Sequence, residues 1–413
     1  MSVEKIETLI VGGGQAGLAM SEHLSKRRMP HLIVERHRIA ERWRSERWDS
    51  LVANGPAWHD RFPNRTFTDV DPDGFAPVNK IVEYFVAYAD QIAAPIRCGV
   101  DVKALYRKAD GSGFRAETSA GVIDAVNVIA ATGPFQRPII PTLVPPDAGI
   151  TQLHSNAYRN PTRLPEGAVL VIGAGSSGSQ IADELLRAGK HVYLSVGPHN
   201  RPPRRYRGRD FAWWLRVLGI WDATARDPSM EHVTIAVSGA YGGQTVDFRR
   251  FAARGMWLAG TAQTFKDGVM HFAPDLATNI ARGDADYLSL LDAADAYVAR
   301  ERLDMSEEAD AHKIDPDPPC LSDPIRQLHL ADAGVTSIVW ATGYALDFGW
   351  LKIDAFDERG RPLHQRGVSP VPGLYFLGLP WLSRRDSPFI WGVWKDAEHL
   401  ADNIAARAQQ AVV

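Results

Sequence analysis

A glycine-rich turn, preceded by an apolar run and followed by a helical pattern, occurs twice in this chain. The first copy covers residues 8–20 (TLIVGGGQAGLAM) and the second covers residues 168–178 (AVLVIGAGSSG). Each copy predicts a buried strand, a turn too tight for side chains, and a helix that begins at once. The first backbone N–H groups of such a helix have no internal partner, and together with the helix dipole they bind phosphate. Two copies in the same frame predict an α/β fold with two Rossmann-type dinucleotide-binding domains.

The first loop is expected to contact its dinucleotide through Gly12, Gly14, Gln15, Ala16 and Gly17. Gly12 allows the tight turn, Gly14 lets the backbone approach the ligand, and Gly17 lets the helix pack on the strand. The next apolar run, residues 32–34, ends at Glu35, whose carboxylate can accept hydrogen bonds from ribose hydroxyls. A turn followed by a surface glutamate is the alternative interpretation.

The second loop is expected to contact a dinucleotide through Gly173, Gly175, Ser176, Ser177 and Gly178. Its following strand ends near Gly197 without a carboxylate, so nothing there repels the 2′-phosphate of NADPH. The arginine-rich segment 201–216 follows, and a guanidinium fork suits a phosphate. We therefore predict phosphate contacts from Arg201, Arg204 and Arg205. A solvated basic loop, or contacts to an anionic substrate, are the alternatives.

The sequence Ala-Thr-Gly follows a predicted buried strand at residues 131–133 and again at 341–343. This repetition indicates paired halves, with the chain crossing between domains at each strand end. A pair of dinucleotide loops suggests one bound flavin dinucleotide, FAD, and one exchangeable nicotinamide dinucleotide. We expect an FAD-binding domain formed by residues 1–160 and 331–413, with an NAD(P)-binding domain, residues 161–330, inserted between its parts.

Composition and charge exclude several other kinds of protein. A net charge of −3 gives no reason to expect nucleic acid, and no apolar run approaches the length of a membrane span. Cys98 and Cys320 are too far apart in sequence for a Cys-x-x-Cys redox pair, and we expect two buried thiols. No His or Cys spacing typical of a metal site occurs. A soluble, cytoplasmic protein without a metal is expected.

A set of motifs spread over most of the chain occurs in the order found in one known family. These motifs are GGGQAGLAM (12–20) with Glu35, Trp43-Arg44 with Trp48, Ala131-Thr132-Gly133 followed by Pro138, His154-Ser155 with Tyr158, GAGSSG (173–178) and WATGY (340–344). Through them the chain resembles the class B flavoprotein monooxygenases, specifically the flavin-containing monooxygenases and their YUCCA-like and CzcO-like relatives.

The resemblance implies that NADPH reduces bound FAD, that O2 then gives a C4a-hydroperoxyflavin, and that one oxygen atom passes to a small nucleophilic substrate. Asn54 falls where the family has an asparagine near the reactive flavin edge, and it is the expected catalytic residue. A simple turn at residues 54–56 is the alternative. Further cofactor contacts are implied for Arg36, Trp43, Arg44, Trp48, Val102, Thr132, Gly133, Ala341, Thr342 and Gly343. For the tryptophans, core packing is an equal alternative.

The chain departs from the family at a few positions. Gly197 or Pro198 stands where many NADPH-specific relatives carry an arginine, which leaves NADH use open. Tyr158 in place of a tryptophan argues against a typical Baeyer–Villiger enzyme. The expected partners are O2 and a small substrate molecule, and the protein is expected to be a monomer or homodimer. The alternatives are a flavin-dependent NAD(P)H oxidase or reductase that does not oxygenate a substrate, and a non-enzymatic redox-sensing module.

Overall fold

The computed structural model describes residues 3–224 and 235–410. Its strands are β1 Glu4–Val11, β2 His31–Glu35, β3 Ile96–Cys98, β4 Val102–Arg107, β5 Phe114–Thr118, β6 Gly121–Ala130, β7 Arg137–Pro138, β8 Thr151–His154, β9 Ala168–Ile172, β10 Val192–Ser195, β11 Arg205–Tyr206, β12 Arg209–Asp210, β13 Trp257–Ala259, β14 Ala262–Lys266, β15 Val269–Phe272, β16 Gln327–His329, β17 Val335–Trp340, β18 Tyr344–Ala345 and β19 Leu374–Phe376.

The α-helices of these described residues are α1 Gln15–Lys26, α2 Glu41–Ser45, α3 Val78–Gln91, α4 Ser176–Arg187, α5 Phe211–Val217, α6 Phe248–Ala253, α7 Leu276–Glu301, α8 Pro319–Ser322 and α9 Gly392–Gln410. Short 3-10 turns occur at Pro161–Arg163, Ala240–Gly242 and Ala309–His312. No helix in the described ranges is long and apolar enough to cross a membrane.

The first sheet has the strand order β3-β2-β1-β6-β5-β4, and β19 also pairs with β6. The pairs β1–β2, β1–β6, β2–β3 and β6–β19 are parallel, whereas β4, β5 and β6 pair in antiparallel fashion. Most apolar side chains of β1, β2 and β6 are buried, as expected for parallel strands covered on both faces, although Val126 of β6 is 44% exposed. This sheet carries the first glycine loop at the carboxyl end of β1.

The second sheet has the strand order β13-β10-β9-β17-β8, and all of its pairs are parallel. The second glycine loop follows β9, in the same frame as the first loop follows β1. A mixed sheet with a parallel core and a fully parallel sheet, with equivalent strand–loop–helix units, confirm the predicted two-domain Rossmann-type α/β fold.

The expected domain division stays a prediction, and two strands bear on it through the sheet that they join. Strands β8 and β17 both belong to the second sheet, although residues 151–154 and 335–340 were assigned to the FAD-binding part. The sequence predicts a buried strand before residues 341–343, but it does not show which sheet that strand joins. The two crossings between sheets also run side by side, because β7 and β18 pair antiparallel with Tyr344 opposite Pro138.

The two cysteines differ from the expectation that both are buried. Cys98 is exposed at the end of β3, whereas Cys320 is half-buried on α8, and both are free thiols. Because β3 lies in the first sheet and the Cys320 side chain packs against the core of the second, the chain does not form a dithiol pair.

The closing helix α9 packs on α1, at the back of the first loop. The rings of His23 and Trp394 lie edge to face with centroids 4.5 Å apart, and Arg27 pairs with Asp402 at the surface. His23 is buried, and its Nε2 has no hydrogen-bond partner. Burial, reinforced by the charges of Lys26 and Arg27, lowers the pKa of His23 to about 4.

Acid is therefore expected to destabilise the fold through His23. The unfolded chain protonates this histidine near pH 6.5 and the folded protein does not, so stability present above that pH is lost as the pH falls towards 4. Between pH 6.5 and 5 the loss is about 2 kcal/mol. Denaturant unfolding at both pH values measures it, and His23→Phe should flatten the difference. An equal pH dependence in this variant would contradict the assignment.

Candidate functional site

The first glycine loop is held from below by the Ala-Thr-Gly turn that ends β6. Gly12 has a φ of +118°, and a Cβ atom there would lie 2.5 Å from the carbonyl oxygen of Ala131. A Cβ atom at Gly17 would lie 1.9 Å from the carbonyl oxygen of Gly12. Real side chains do not tolerate such distances, so both positions require glycine for the fold of the loop itself.

The second loop repeats this arrangement with the other Ala-Thr-Gly turn. Gly173 has a φ of +105°, and its Cβ atom would lie 2.4 Å from the carbonyl oxygen of Ala341. At Gly178 the corresponding distance to the Gly173 carbonyl oxygen is 1.8 Å. Each Ala-Thr-Gly turn therefore packs directly under one of the glycine loops. The sequence indicated only that the chain leaves a strand at these positions.

Gly14 differs from its neighbours because it faces open space. A Cβ atom there would meet no heavy atom within 4 Å, and Gly14 caps α1 without any side-chain hydrogen bond. At the end of β2, the carboxylate of Glu35 accepts hydrogen bonds from the backbone N–H groups of Gly13 (2.7 Å) and His37 (2.9 Å). An open helix start beside an acid at the end of the second strand fits a dinucleotide with a free ribose edge.

Asn54 lies against the helix of the second loop. Its Oδ1 accepts a hydrogen bond of 2.8 Å from Nε2 of Gln180 on α4, and its backbone carbonyl accepts one of 2.6 Å from Arg204. Gln180 is fixed in turn by a 2.8 Å hydrogen bond to the carbonyl of Val237. Within the described chain the amide nitrogen of Asn54 has no acceptor, so it remains available as a donor to a ligand.

The first loop contacts the segment that precedes α9. Gln15 Nε2 donates a 2.7 Å hydrogen bond to the carbonyl of Pro388. Three residues further on, the ring of Trp391 packs on His59, with centroids 3.6 Å apart. His59 Nδ1 lies 2.9 Å from Asp60 Oδ1.

Asp60 continues these contacts to Asn54. Its Oδ2 accepts a 2.9 Å hydrogen bond from the backbone N–H of Gly55. Contacts and short stretches of backbone thus connect Gln15 at the first loop with Gln180 on α4, the helix that follows the second loop, and Asn54 contacts Gln180 directly. Gln180 could not be predicted as a site residue, because a polar residue one turn into a helix does not indicate which distant residue it contacts.

Two of the arginines predicted to contact a phosphate are engaged elsewhere. Arg201 is 3% exposed and pairs with Asp284 on α7 (Nη2–Oδ1 2.6 Å). Arg204 is 2% exposed and makes a bidentate pair with Asp210 (3.0 and 2.6 Å). In the structure Asp284 and Asp210 neutralise these guanidinium groups, and a phosphate contact from either arginine stays a prediction. Arg205 is exposed and lines a surface cavity of about 390 Å³.

Arg204→Ala is expected to act on stability rather than on coenzyme choice. Removing one partner leaves the Asp210 carboxylate buried without its counter-charge, which costs about 3–5 kcal/mol. Denaturant unfolding measures this loss, with the exposed Arg205→Ala as the matched control and expected within about 0.5 kcal/mol of the wild type. A selective rise in the KM for NADPH over NADH in Arg204→Ala would instead restore the phosphate role.

The other predicted cofactor contacts fall into two groups. Trp48 is buried in the core around the second sheet, and Val102 in the core of the first, so their side chains serve packing. Trp43 is half-buried on α2, and Arg36 and Arg44 are exposed, Arg44 donating to a backbone carbonyl. The two threonines of the Ala-Thr-Gly turns hydrogen-bond to neighbouring turn segments: Thr132 Oγ1 accepts from Gln136, and Thr342 Oγ1 donates to the Ile139 carbonyl.

Comparison with known proteins adds independent support. The family profile of the pyridine nucleotide-disulphide oxidoreductases matches residues 9–216. An uncharacterised CzcO-like oxidoreductase from Geobacillus kaustophilus is 32% identical over 403 residues, covering 97% of this chain and 98% of that protein. The probable indole-3-pyruvate monooxygenase YUCCA4 of Arabidopsis thaliana is 30% identical over 224 residues, 51% of each chain. A flavin-containing monooxygenase from Stenotrophomonas maltophilia has the same fold, with a TM-score of 0.67 at 18% identity over 98% of this chain and 100% of that one.

Two sheets, each with a glycine loop that follows a parallel strand and packs over an Ala-Thr-Gly turn, are typical of a flavoprotein oxidoreductase fold with two dinucleotide sites. The chain belongs to the pyridine nucleotide-disulphide oxidoreductase family and, within it, to the class B flavin monooxygenases. The family resemblance found in the sequence is thereby confirmed.

Proposed function

We propose that this protein is an FAD-dependent, NAD(P)H-consuming monooxygenase that inserts one oxygen atom into a small substrate at nitrogen, sulfur or a carbonyl. The observation that carries the proposal is the position of Asn54. Gln180 holds its side chain against the helix of the second loop, and the contacts through Asp60, His59 and Pro388 lead back to the first loop. A free amide donor between two dinucleotide sites suits a reaction that involves both nucleotides and O2.

The residues present fit the two cofactors. Gly12, Gly14 and Gly17 with Glu35 would hold FAD, and the loop at residues 173–178 would hold the nicotinamide coenzyme. When bound, the flavin accepts a hydride from the coenzyme and activates O2. Arg205 remains a candidate for contact with the 2′-phosphate of NADPH, and NADH use stays open because Gly197 carries no side chain.

The protein's own contribution is positioning and exclusion of water. The segment around Asn54 is packed by aromatic rings, with His59 8% exposed among Trp58, Trp221 and Trp391. In such a dry surrounding, a hydrogen bond from Asn54 to a reacting oxygen atom is stronger than it would be in water.

Some proteins of this fold are named as disulfide reductases. This chain lacks a pair of neighbouring cysteines for that reaction. The two cysteines of the chain are free, and their side chains lie in separate parts of the fold. The names of relatives agree with oxygen transfer: YUCCA4 is described as a probable indole-3-pyruvate monooxygenase, and the Stenotrophomonas protein as a flavin-containing monooxygenase. We propose oxygen transfer for this chain, but we do not propose that it shares the substrate of either protein.

The test is the fate of oxygen during turnover. Purified holoprotein is mixed with NADPH or NADH, isotopically labelled O2 and a panel of amines, sulfides, indoles and ketones, and products are analysed by mass spectrometry. We expect labelled oxygenated product from at least one class, with coenzyme consumption that rises when the substrate is added. Coenzyme loss matched only by hydrogen peroxide, for every class, would identify an NAD(P)H oxidase instead.

A further inference from the structure

The strand after the second glycine loop carries no acid at the position that Glu35 occupies after the first. The first glycine of each loop donates its N–H to a carbonyl of the next strand, that of Val34 in the first copy and that of Ser195 in the second. The residue after Val34 is Glu35, whereas the residue after Ser195 is Val196, which is apolar and fully buried. Strand β10 therefore supplies no carboxylate to the ribose of a bound coenzyme.

The neighbouring strand brings a carboxylate to the same edge of the sheet. Strands β10 and β13 are parallel neighbours, so their carboxyl ends lie side by side, and nucleotides bind beyond the carboxyl ends of such strands. Two residues after β13, the backbone N–H and Oγ1 of Thr261 donate hydrogen bonds of 2.9 and 2.7 Å to the two carboxylate oxygens of Asp275. Asp275, the residue before α7, is thereby fixed at this edge.

This carboxylate lies beside the end of β10. A Cβ atom at Gly197 would lie 3.6 Å from Thr261 Oγ1, the atom that donates to Asp275. In the first turn of α7, Asn279 donates a 3.0 Å hydrogen bond to the carbonyl of Val196, which holds the start of the helix against the strand. Thr261 and Asp275 thus occupy the space towards which a side chain at Gly197 would point.

Asp275 is an ionised acceptor with capacity for a further donor. Burial opposes ionisation, but hydrogen bonds from Thr261 and Asn279 outweigh it and lower the pKa of Asp275 below its ordinary value. Each oxygen of a carboxylate has about two acceptor positions, so the hydrogen bonds from Thr261 leave some of them unused. The side chain is only half-buried, so a ribose hydroxyl can reach it.

The arginines near this loop in sequence do not offset the charge of Asp275. Arg201 and Arg204 are held in the buried ion pairs described above, and Arg205 lines a surface cavity together with two aspartates. Arg282 is exposed on α7, next to a glycine that packs on His199, and it is the cation left to compete for a phosphate. A variant of Arg282 therefore belongs in the test.

We propose that Asp275, positioned by Thr261, selects the coenzyme: its carboxylate accepts a hydrogen bond from the 2′-hydroxyl of the adenosine ribose and repels a 2′-phosphate, so the protein prefers NADH to NADPH. A carboxylate on the 2′-hydroxyl is the arrangement that dinucleotide folds use for NAD, here supplied by another element than the usual strand. The inference rests on the proposed function, because it assigns the coenzyme of the same reaction.

Equilibrium binding to the wild-type holoprotein is the first test. Isothermal titration compares NAD+ with NADP+, and 5′-AMP with 2′,5′-ADP, pairs that differ in the same phosphate. The forms without the 2′-phosphate are expected to bind roughly tenfold or more tightly, because the others lose a charge-assisted hydrogen bond and meet a like charge. The difference should shrink between about 20 mM and 500 mM salt, which screens the repulsion. Equal or tighter binding of NADP+ at low salt would overturn the proposal.

Conservative variants locate the selecting group. Asp275→Asn keeps the size of the side chain and should reduce the ratio of NAD+ to NADP+ affinity about tenfold. Asp292→Asn removes the same charge from a position of α7 that is 73% exposed and should leave the ratio unchanged, as should Arg282→Ala. An unchanged ratio in Asp275→Asn with a wild-type melting temperature, or a selective loss of NADP+ binding in Arg282→Ala, would contradict the role of Asp275.

An arginine introduced at Gly197 tests the distance directly. Because its side chain would begin 3.6 Å from Thr261 Oγ1, the guanidinium group of Gly197→Arg should pair with Asp275 and improve NADP+ binding little. Combined with Asp275→Asn, the same substitution should bind NADP+ at least about tenfold more tightly than Gly197→Arg alone. Equal gains with and without Asp275 would place this carboxylate away from the coenzyme. The single variant and the wild-type titration decide the matter even if Asp275→Asn does not fold.

The two proposals fail in different ways. Tighter binding of NAD+ than of NADP+, with hydrogen peroxide as the only product of turnover, would leave the coenzyme assignment standing and remove the oxygenase function. Labelled product formed with NADPH at a kcat/KM equal to or above that with NADH would leave the oxygenase standing and remove the role of Asp275.

Discussion

The Gly14→Val variant is expected to fold as the wild type does and to lose bound FAD. A Cβ atom at Gly14 meets no protein atom within 4 Å, and its backbone (φ −92°, ψ −166°) is an extended conformation that valine adopts readily. The new side chain instead stands over the N–H groups at the start of α1, where the pyrophosphate binds. Loss of these contacts should weaken FAD binding by a factor of about 100 or more, or about 2.7 kcal/mol.

The measurement is the ratio of flavin to protein after purification and after reconstitution with FAD, with the melting temperature of the flavin-free protein. Gly17→Ala is the informative comparison, because its Cβ atom would lie 1.9 Å from the Gly12 carbonyl oxygen. That variant should lose stability as well as flavin. A folded Gly14→Val protein that retains stoichiometric FAD would remove this loop as the flavin site.

Replacing Asn54 with alanine is expected to uncouple coenzyme consumption from oxygenation. The amide donor disappears, while the glycine loops proposed to bind the two dinucleotides are untouched, so the rate of flavin reduction should stay within about twofold of the wild type. The fraction of reducing equivalents released as hydrogen peroxide should rise roughly tenfold, which corresponds to about 1.4 kcal/mol. Stopped-flow reduction and a peroxide assay measure the two quantities separately.

Gln180→Leu provides a second route to the same effect. It removes the 2.8 Å hydrogen bond that orients Asn54, so peroxide release should rise, though less than in Asn54→Ala. Because both changes act on one contact, the double variant should resemble Asn54→Ala rather than show the sum. Asn160→Ala, which affects an amide on the linker near Asp49, is the control. Unchanged coupling in Asn54→Ala would leave the residue with only a structural role.

Local patterns predicted the repeating units well because each depends on neighbouring residues. The helical spacing of apolar residues over 79–94 predicts a helix, which occurs at Val78–Gln91. The apolar run at 373–378 and the helical pattern over 387–405 likewise predict a last core strand and a closing helix, which occur as β19 and α9. The pattern over residues 284–299 also predicts a helix, and the observed helix is longer, Leu276–Glu301, with Asn279 and Gly283 buried beside Leu276 and Ile280 in its first turns.

The sequence did not predict ion pairs and strand pairs that join distant parts of the chain. The sequence shows the charge of Arg201 and Arg204 but not their partners. Helix α7 brings Asp284 against Arg201, and the local fold brings Asp210 against Arg204. Strand β17 reads as a buried strand in either domain, and only its pairing with β9 and β8 assigns it to the second sheet.

The sequence alone determined that this protein has two dinucleotide loops, the acid that distinguishes the first, and its family. These features depend on glycine conformation and strand–helix periodicity, which are set within a few residues. The tertiary structure decided that Asn54 contacts Gln180 on the helix after the second loop, and that Arg385 and Asp286 line one cavity. Those relations depend on contacts between residues more than 90 positions apart, which no local pattern records.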